Sequence, residues 1–334
     1  MKTKHLFAHG NSKEHIIVAA KLLQRGELVA FPTETVYGLG ADATNEHAVK
    51  KIFEAKGRPS DNPLIVHVAS KKQLLALVKD IPPYVETLID TFSPGPITYV
   101  LKSKGNVAAN VTAGLSTVAV RIPDNKIALS LLKSCNLPIA APSANLSGSP
   151  SPTSAKHVLD DLDGKIAAVL DGGNAEVGVE STVVDCTGEY PVILRIGKIT
   201  KEDIDKVIEA TEENVINEQV EKPKSPGMKY KHYAPEIPLI LVNKQELIQK
   251  NIDKKKSEGY RVGALVSDHL AANIVADKII AIGDNEEKMA ANLYNALRSF
   301  KKEEVDYIIC ETFPTKTVGK AVMDRIQRAA SESV

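Results

Sequence analysis

From residue 13 onward the apolar residues switch repeatedly between two periods, and that switching limits the fold more than any other feature. IIVAAKLLQRG has helical spacing, ELVAFPT reads as a strand, NEHAVKKIFEAKG is helical again and NPLIVHVAS is strand-like. Alternation of this kind predicts an α/β sheet with helical crossovers. Two helical stretches follow at 71 to 92, then strands at PITYVLKS and STVAVRIP, a helix at 126 to 135, and LPIAAPS leading into a serine-rich loop. A helix over 153 to 162 comes next, with Thr153 or Ser154 as its N-cap.

The pattern then changes, because IAAVLDGG, STVVDCTG and YPVILRIG are strand-like runs separated by turns, the last two joined as a hairpin at Gly188 and Glu189. A twisted sheet mixing parallel and antiparallel strands with flanking helices is expected, not a purely doubly wound one. TKEDIDKVI, capped by Thr200, closes this domain near 210. Residues 211 to 236 contain three prolines and a glycine and read as a linker. Lys229, Tyr230, Lys231, His232 and Tyr233 crowd basic and aromatic groups into its second half, which a plain spacer would not need.

Beyond the linker the alternation resumes: PLILVN, a helix at 244 to 257, YRVGALVS, KIIAIG, a helix at 286 to 302, VDYIICETF and a last helix from about 317. Met289, Leu293, Leu297 and Phe300 recur at helical spacing and give one apolar face for a sheet. The expected organisation is a domain at 1 to 210, a linker and candidate lid at 211 to 236, and a smaller Rossmann-like parallel α/β domain at 237 to 334. No glycine-rich dinucleotide fingerprint accompanies the second domain, so its fold implies no cofactor.

Lys plus Arg balance Asp plus Glu at 42 each, so no global charge pulls the protein toward nucleic acid or acidic membranes. Cys135, Cys186 and Cys310 are widely spaced, which argues against a disulfide framework or zinc site and for a reducing cytosol. No apolar run reaches the ~18 residues a membrane span needs, and the N-terminus has no signal-type apolar region. A cytoplasmic protein is expected.

Three segments rich in Gly, Pro, hydroxyls and amides stand out: FPTETVYGLGAD at 31 to 42, KGRPSDNPL at 56 to 64 and PSANLSG at 142 to 148. Lys56 and Arg58 place two cations within three residues, and Thr33, Thr35, Asn62, Ser143 and Ser147 add neutral hydrogen-bonding groups. Such a lining suits anions. No GxxxxGK[ST] loop is present, since Val179 follows Gly178 where lysine is required, and neither GxSxG nor HExxH occurs.

PTETVYGLG, Lys56 and Arg58 running into PSDNPL, Ser143 with Asn145, and GVESTVVD with LRIG together resemble the YrdC family of threonylcarbamoyl-AMP synthases over residues 13 to 208. SPGMKYKHYAP followed by a Rossmann-like tail resembles the longer, two-domain branch. The resemblance implies condensation of L-threonine, bicarbonate and ATP to threonylcarbamoyl-AMP and pyrophosphate, for threonylcarbamoyladenosine in tRNA. It implies that Lys56 and Arg58 hold bicarbonate or carbamate and the phosphates. Arg58, Asn62, Thr117, Ser143, Asn145, Ser151 and Arg195 match positions around ATP, and Thr35, His67, Arg121, Ala141 and Ser181 match those around threonine. Tyr230 and His232 are the expected lid residues. Magnesium is expected to arrive on the triphosphate, with no resident metal, and the product to pass to a downstream tRNA threonylcarbamoyl transferase.

Each of these residues also has an ordinary reading. Lys56 and Arg58 can be a solvated helix end matched to the dipole, Thr33 and Thr35 β-branched strand residues, and Ser143 and Asn145 simple turn formers. His67 can be a satisfied interior histidine, and Arg195 an outward residue opposite Val192, Leu194 and Ile196. Two rival functions compete: a salt-sensitive RNA-binding module, which zero net charge disfavours, and a carbamoyl-adenylate synthase fed by carbamoyl phosphate.

Overall fold

The computed structural model describes residues 2–8, 13–208, 212–213 and 233–334. The chain divides into two compact units: residues 1–147, 152–176 and 180–229 form the first, and residues 148–151, 177–179 and 230–334 the second.

In the first unit the order is β1 (Lys4–Phe7), α1 (Lys13–Gln24), β2 (Val29–Phe31), β3 (Gly38–Asp42), α2 (Glu46–Lys56), β4 (Ile65–His67), α3 (Lys71–Leu77) and α4 (Pro83–Phe92). It continues β5 (Ile97–Lys102), α5 (Ala109–Thr112), β6 (Thr117–Arg121), α6 (Lys126–Cys135), β7 (Ile139–Ala140), α7 (Ala155–Leu162) and β8 (Ala168–Asp171). The unit ends with β9 (Thr182–Asp185), β10 (Val192–Arg195), α8 (Lys201–Asp205) and β11 (Glu212–Glu213). The strands make one 11-stranded sheet in the order β1-β8-β2-β3-β7-β4-β6-β5-β9-β10-β11. Parallel pairs such as β4 with β6 alternate with antiparallel pairs such as β5 with β6, as the mixed pattern predicts.

Cap chemistry follows the sequence. Ser154, not Thr153, caps α7 by accepting from the His157 N–H, and Thr200 closes a capping box with Asp203 before α8. All three cysteines are buried and unpaired.

The edge strands β1 and β11, the interior strand β3 and, in the second unit, the edge strand β16 (Glu332–Ser333) were not expected from the sequence. The edge strand β1 was not expected, because only Leu6 within it is buried; its place comes from parallel pairing with β8, where Lys4 lies opposite Ala168. GLGAD, the end of the first Gly- and hydroxyl-rich segment, forms the interior strand β3, between β2 and β7. A Cβ on Gly40 would stand 2.9 Å from Ile139 Cγ2 and from Phe31 Cε1, so glycine is what lets these strands close up.

The second unit contains β12 (Leu239–Val242), α9 (Ile248–Ser257), β13 (Val262–Val266), α10 (Asp268–Ala271), β14 (Lys278–Ala281), α11 (Glu286–Ser299), β15 (Tyr307–Glu311), α12 (Gly319–Ala329) and β16 (Glu332–Ser333). All strand pairs are parallel, in the order β14-β13-β15-β12-β16, which is the expected Rossmann-like arrangement. Met289, Leu293, Leu297 and Phe300 are buried as their spacing predicts. Arg325 is fully buried with its guanidinium 5.3 Å from the Tyr233 ring, which stacks on Tyr294. Among the described residues no helix is long and apolar enough to cross a membrane.

Candidate active site

Strand alternation builds the site on one face of the first unit's sheet. Val66, Val118, Val120, Tyr99 and Val184 turn to the large core on one side. The opposite face carries a small apolar cluster of Ile65, Val100, Ala119, Val183 and Leu194. Because side chains two residues apart share a face, His67 follows Ile65, Arg121 and Thr117 flank Ala119, and Thr98 precedes Val100 on that side. Polar residues thus border a patch of small apolar ones.

Arg121 is buried at the C-terminal end of β6, opposite His67 of β4. Its Nε donates to the Gly95 carbonyl at 3.3 Å and its Nη1 to Thr35 Oγ1 at 2.9 Å, while Nη2 stands 2.6 Å from Glu34 Oε1. Nε and Nη1 are therefore hydrogen-bonded, and Nη2 is ion-paired with Glu34. Burial, and then the Arg121 charge, push the His67 imidazole down from its ordinary value of 6.5 to about 3. His67 is neutral at physiological pH, and among the described residues its buried Nδ1 meets no hydrogen-bond partner of good geometry. The interior-histidine reading holds for its burial.

Thr35 and Glu34 reach Arg121 because Thr33 closes the turn between β2 and β3. The Thr33 hydroxyl donates to the Val36 carbonyl at 2.7 Å, accepts from the Thr35 and Val36 N–H groups, and lies 2.8 Å from Thr35 Oγ1. Thr33 serves the turn, not strand propensity.

Lys56 and Arg58 leave α2 through a left-handed glycine. Gly57 has φ of 60°, its N–H bonds the Glu54 carbonyl, and the Arg58 N–H bonds the Phe53 carbonyl, the Schellman pattern. Lys56 is only 3% exposed, which rules out a solvated helix end. Its Nζ donates to the Ser143 carbonyl at 2.6 Å, the Asn145 carbonyl at 2.7 Å and, at 3.4 Å, Asn145 Oδ1. The structure thereby brings the second and third sequence segments together. Ala141 is held from its N–H to the Ile65 carbonyl, and the Ala144 N–H reaches back to Tyr37 in the first segment.

Arg195 owes its direction to a bulge. Val192 pairs with Asp185 and Ile193 with Val184, but Arg195 pairs with Val183, so the register slips by one residue. That slip moves Arg195 to the Val183 face, overturning the alternation that would have sent it outward. Its Nε donates to the Ser181 carbonyl and its Nη2 to Ser181 Oγ, both at 3.1 Å, and Ser181 Oγ is also 2.8 Å from Thr98 Oγ1.

Asn62 is fully buried, and among the described residues neither its amide oxygen nor its nitrogen is hydrogen-bonded. Thr117 stands on the Arg121 face four residues earlier, about 13 Å away at the ~3.3 Å rise of a strand. Ser151 groups with the second unit. Tyr230 and His232 lie outside the described residues. Among the described residues no group of three or more His, Cys, Asp or Glu side chains is placed to hold a metal.

Sequence reasoning missed Glu34, Thr98 and Tyr37. Glu34 lies between two singled-out threonines, but an acid runs against the pattern of an anion pocket. Tyr37, within the same segment, donates its hydroxyl to the Gly173 carbonyl at 2.6 Å and accepts from the Gly172 N–H at 3.1 Å. Burial pushes its phenol pKa up, so it remains a neutral clamp between the first segment and the DGG turn. Thr98 carries no signal in sequence.

A Sua5/YciO/YrdC family model, described as "Telomere recombination", matches residues 21–197. A second, "Threonylcarbamoyl-AMP synthase, C-terminal domain", matches residues 199–331. The chain is 51% identical to the threonylcarbamoyl-AMP synthase of Bacillus subtilis, covering 100% of this chain and 99% of that protein. It is 48% identical to that of Pyrococcus abyssi, covering 94% of each. The crystal structure of P. abyssi Sua5 complexed with L-threonine superposes with a TM-score of 0.94 at 45% identity, covering 100% of both chains. With relatives of this identity matching from end to end, the chain belongs to the threonylcarbamoyl-AMP synthase family, in its two-domain form.

Proposed function

We infer that the protein condenses L-threonine, bicarbonate and ATP into threonylcarbamoyl-AMP with release of pyrophosphate, providing the group for threonylcarbamoyladenosine in tRNA. The observation that carries this reading is that Arg121 and Arg195 stand on the same sheet face, bordering one small apolar patch. That arrangement supports a threonine at the Arg121 end and a nucleotide reaching Thr117 and Arg195.

In the reaction the neutral threonine amine attacks the bicarbonate carbon, a hydroxyl of bicarbonate leaves with an amine proton as water, and an oxygen of the resulting carbamate attacks the α-phosphorus as pyrophosphate leaves. The main difficulty is gathering like-charged reactants, so catalysis rests on positioning and charge stabilisation. Arg58, at the exit of α2, neutralises the phosphates and the carbamate. Lys56 acts through the loop it holds: its contacts with the Ser143 and Asn145 carbonyls shape the wall that Ser143 and Asn145 present to the nucleotide. Arg121, Thr35, His67 and Ser181, with the Ala141 backbone, hold the amino acid, and Asn62, Ser151 and Arg195 the nucleotide. Magnesium comes with the triphosphate as part of the substrate. Tyr230 and His232 cover the site while the water-labile carbamate exists. Hand-off to a tRNA threonylcarbamoyl transferase completes the use of the product, and any contact of this chain with RNA is weak.

Pyrophosphate release with each substrate omitted in turn, and mass spectrometry of the product, test the reading. Turnover requiring ATP, threonine and bicarbonate together is expected. Adenylate formed from carbamoyl phosphate without threonine would replace it with the rival synthase.

A further inference from the structure

We propose that the Glu34 carboxylate receives the α-ammonium of threonine, forming with Arg121 a matched pair of charges for a zwitterion; this rests on the threonine reading above. Glu34 is 5% exposed, in the turn between β2 and β3. Its Oε1 lies 2.6 Å from Arg121 Nη2, close enough for charge attraction, yet the contact lacks hydrogen-bond alignment. Both carboxylate oxygens and Nη2 thus keep unused hydrogen-bonding capacity while buried.

Buried polar atoms without partners are costly and persist where a ligand completes them. A site built only for anions would not hold a carboxylate beside its arginine, since the two charges cancel. A zwitterion explains the arrangement: its carboxylate takes the Arg121 edge and its ammonium takes the Glu34 oxygens. His67, kept neutral opposite Arg121, adds no competing positive charge near the ammonium. Thr35, bonded to Arg121 Nη1, fixes the guanidinium so that the carboxylate and ammonium subsites keep their spacing.

Calorimetric titration with L-threonine and with (R)-3-hydroxybutyrate, which keeps the carboxylate and hydroxyl but lacks the amine, tests the assignment. The intact wild-type chain should bind threonine about 10- to 100-fold more tightly than the analogue, the range of one charged hydrogen-bonded contact. Glu34→Gln should lose most of that preference by weakening threonine alone, and Glu34→Asp should retain part of it. Equal wild-type affinity for both ligands overturns the assignment without any variant. Loss of both ligands by the same factor in Glu34→Gln also overturns it, because Glu34 would then act only by positioning Arg121. A wild-type chain that binds neither ligand overturns the threonine reading itself, and this assignment with it.

Discussion

The ammonium of Lys56 donates to the main-chain carbonyl of Ser143 at 2.6 Å, tying together two segments 87 residues apart. A buried lysine whose donors meet two carbonyls and a side-chain amide acts as the peg of a loop.

Replacing Lys56 with methionine should therefore cost stability as well as activity. The Ser143 and Asn145 carbonyls would lose their donor, at about 3 kcal/mol by the range for buried charged groups. Urea unfolding and pyrophosphate release should both report the loss. A variant with wild-type stability would show that the peg is dispensable.

Arg58 should behave differently, because it lies beyond the left-handed Gly57 that ends α2 and is the cation proposed to meet the phosphates and the carbamate. Arg58→Ala is expected to unfold normally while losing about 100-fold or more in kcat, the scale of removing one preorganised donor at a developing charge. Wild-type turnover would remove Arg58 from the chemistry.

The proposed roles of Arg195 at the nucleotide and Ser181 at threonine would be coupled by the bulge at β10, since Arg195 grips both the carbonyl and the hydroxyl of Ser181. Lysine cannot reproduce that fork. Arg195→Lys should raise KM for ATP and also for threonine, each by about 10-fold, the value of one charged hydrogen bond. Steady-state kinetics varying each substrate decide the matter, and a change confined to ATP would break the coupling.

His67 gives a pH signature in stability. Its folded pKa lies at about 3 against an ordinary 6.5, so between those values the unfolded chain binds a proton that the folded chain refuses. The contribution is fully present above about pH 6.5 and is lost as pH falls toward 3, with a slope of at most ~1.4 kcal/mol per pH unit. Denaturant unfolding of wild type and His67→Gln from pH 7 to 4 should show the steeper fall in wild type. Parallel curves would mean that His67 titrates normally.

Gly40→Ala tests the close strand approach. The new Cβ would meet Ile139 and Phe31 at 2.9 Å, and overpacking of this kind costs about 1 to 3 kcal/mol. Thermal unfolding should drop accordingly, and an unchanged midpoint would mean that the two side chains yield freely.

Much of the molecule is legible one-dimensionally because its information is local. Thr200 with Asp203 announces a helix start, Gly57 announces a helix stop, and the Met289 to Phe300 face announces a buried helix. The direction of Arg195 is not legible, since a one-residue register slip depends on the partner strand. Glu34 was missed for a related reason: its meaning depends on Arg121, 87 positions later, and only the fold brings them to 2.6 Å.

By itself the sequence determined the two-domain α/β class, the mixed first sheet and the helix caps, because period, caps and composition act over a few residues. Tertiary structure alone decided that GLGAD is an interior strand, that Lys56 anchors a loop, that a bulge turns Arg195 inward and that Glu34 faces Arg121. These outcomes rest on burial and register between segments far apart in the chain, where desolvation and packing set which groups meet.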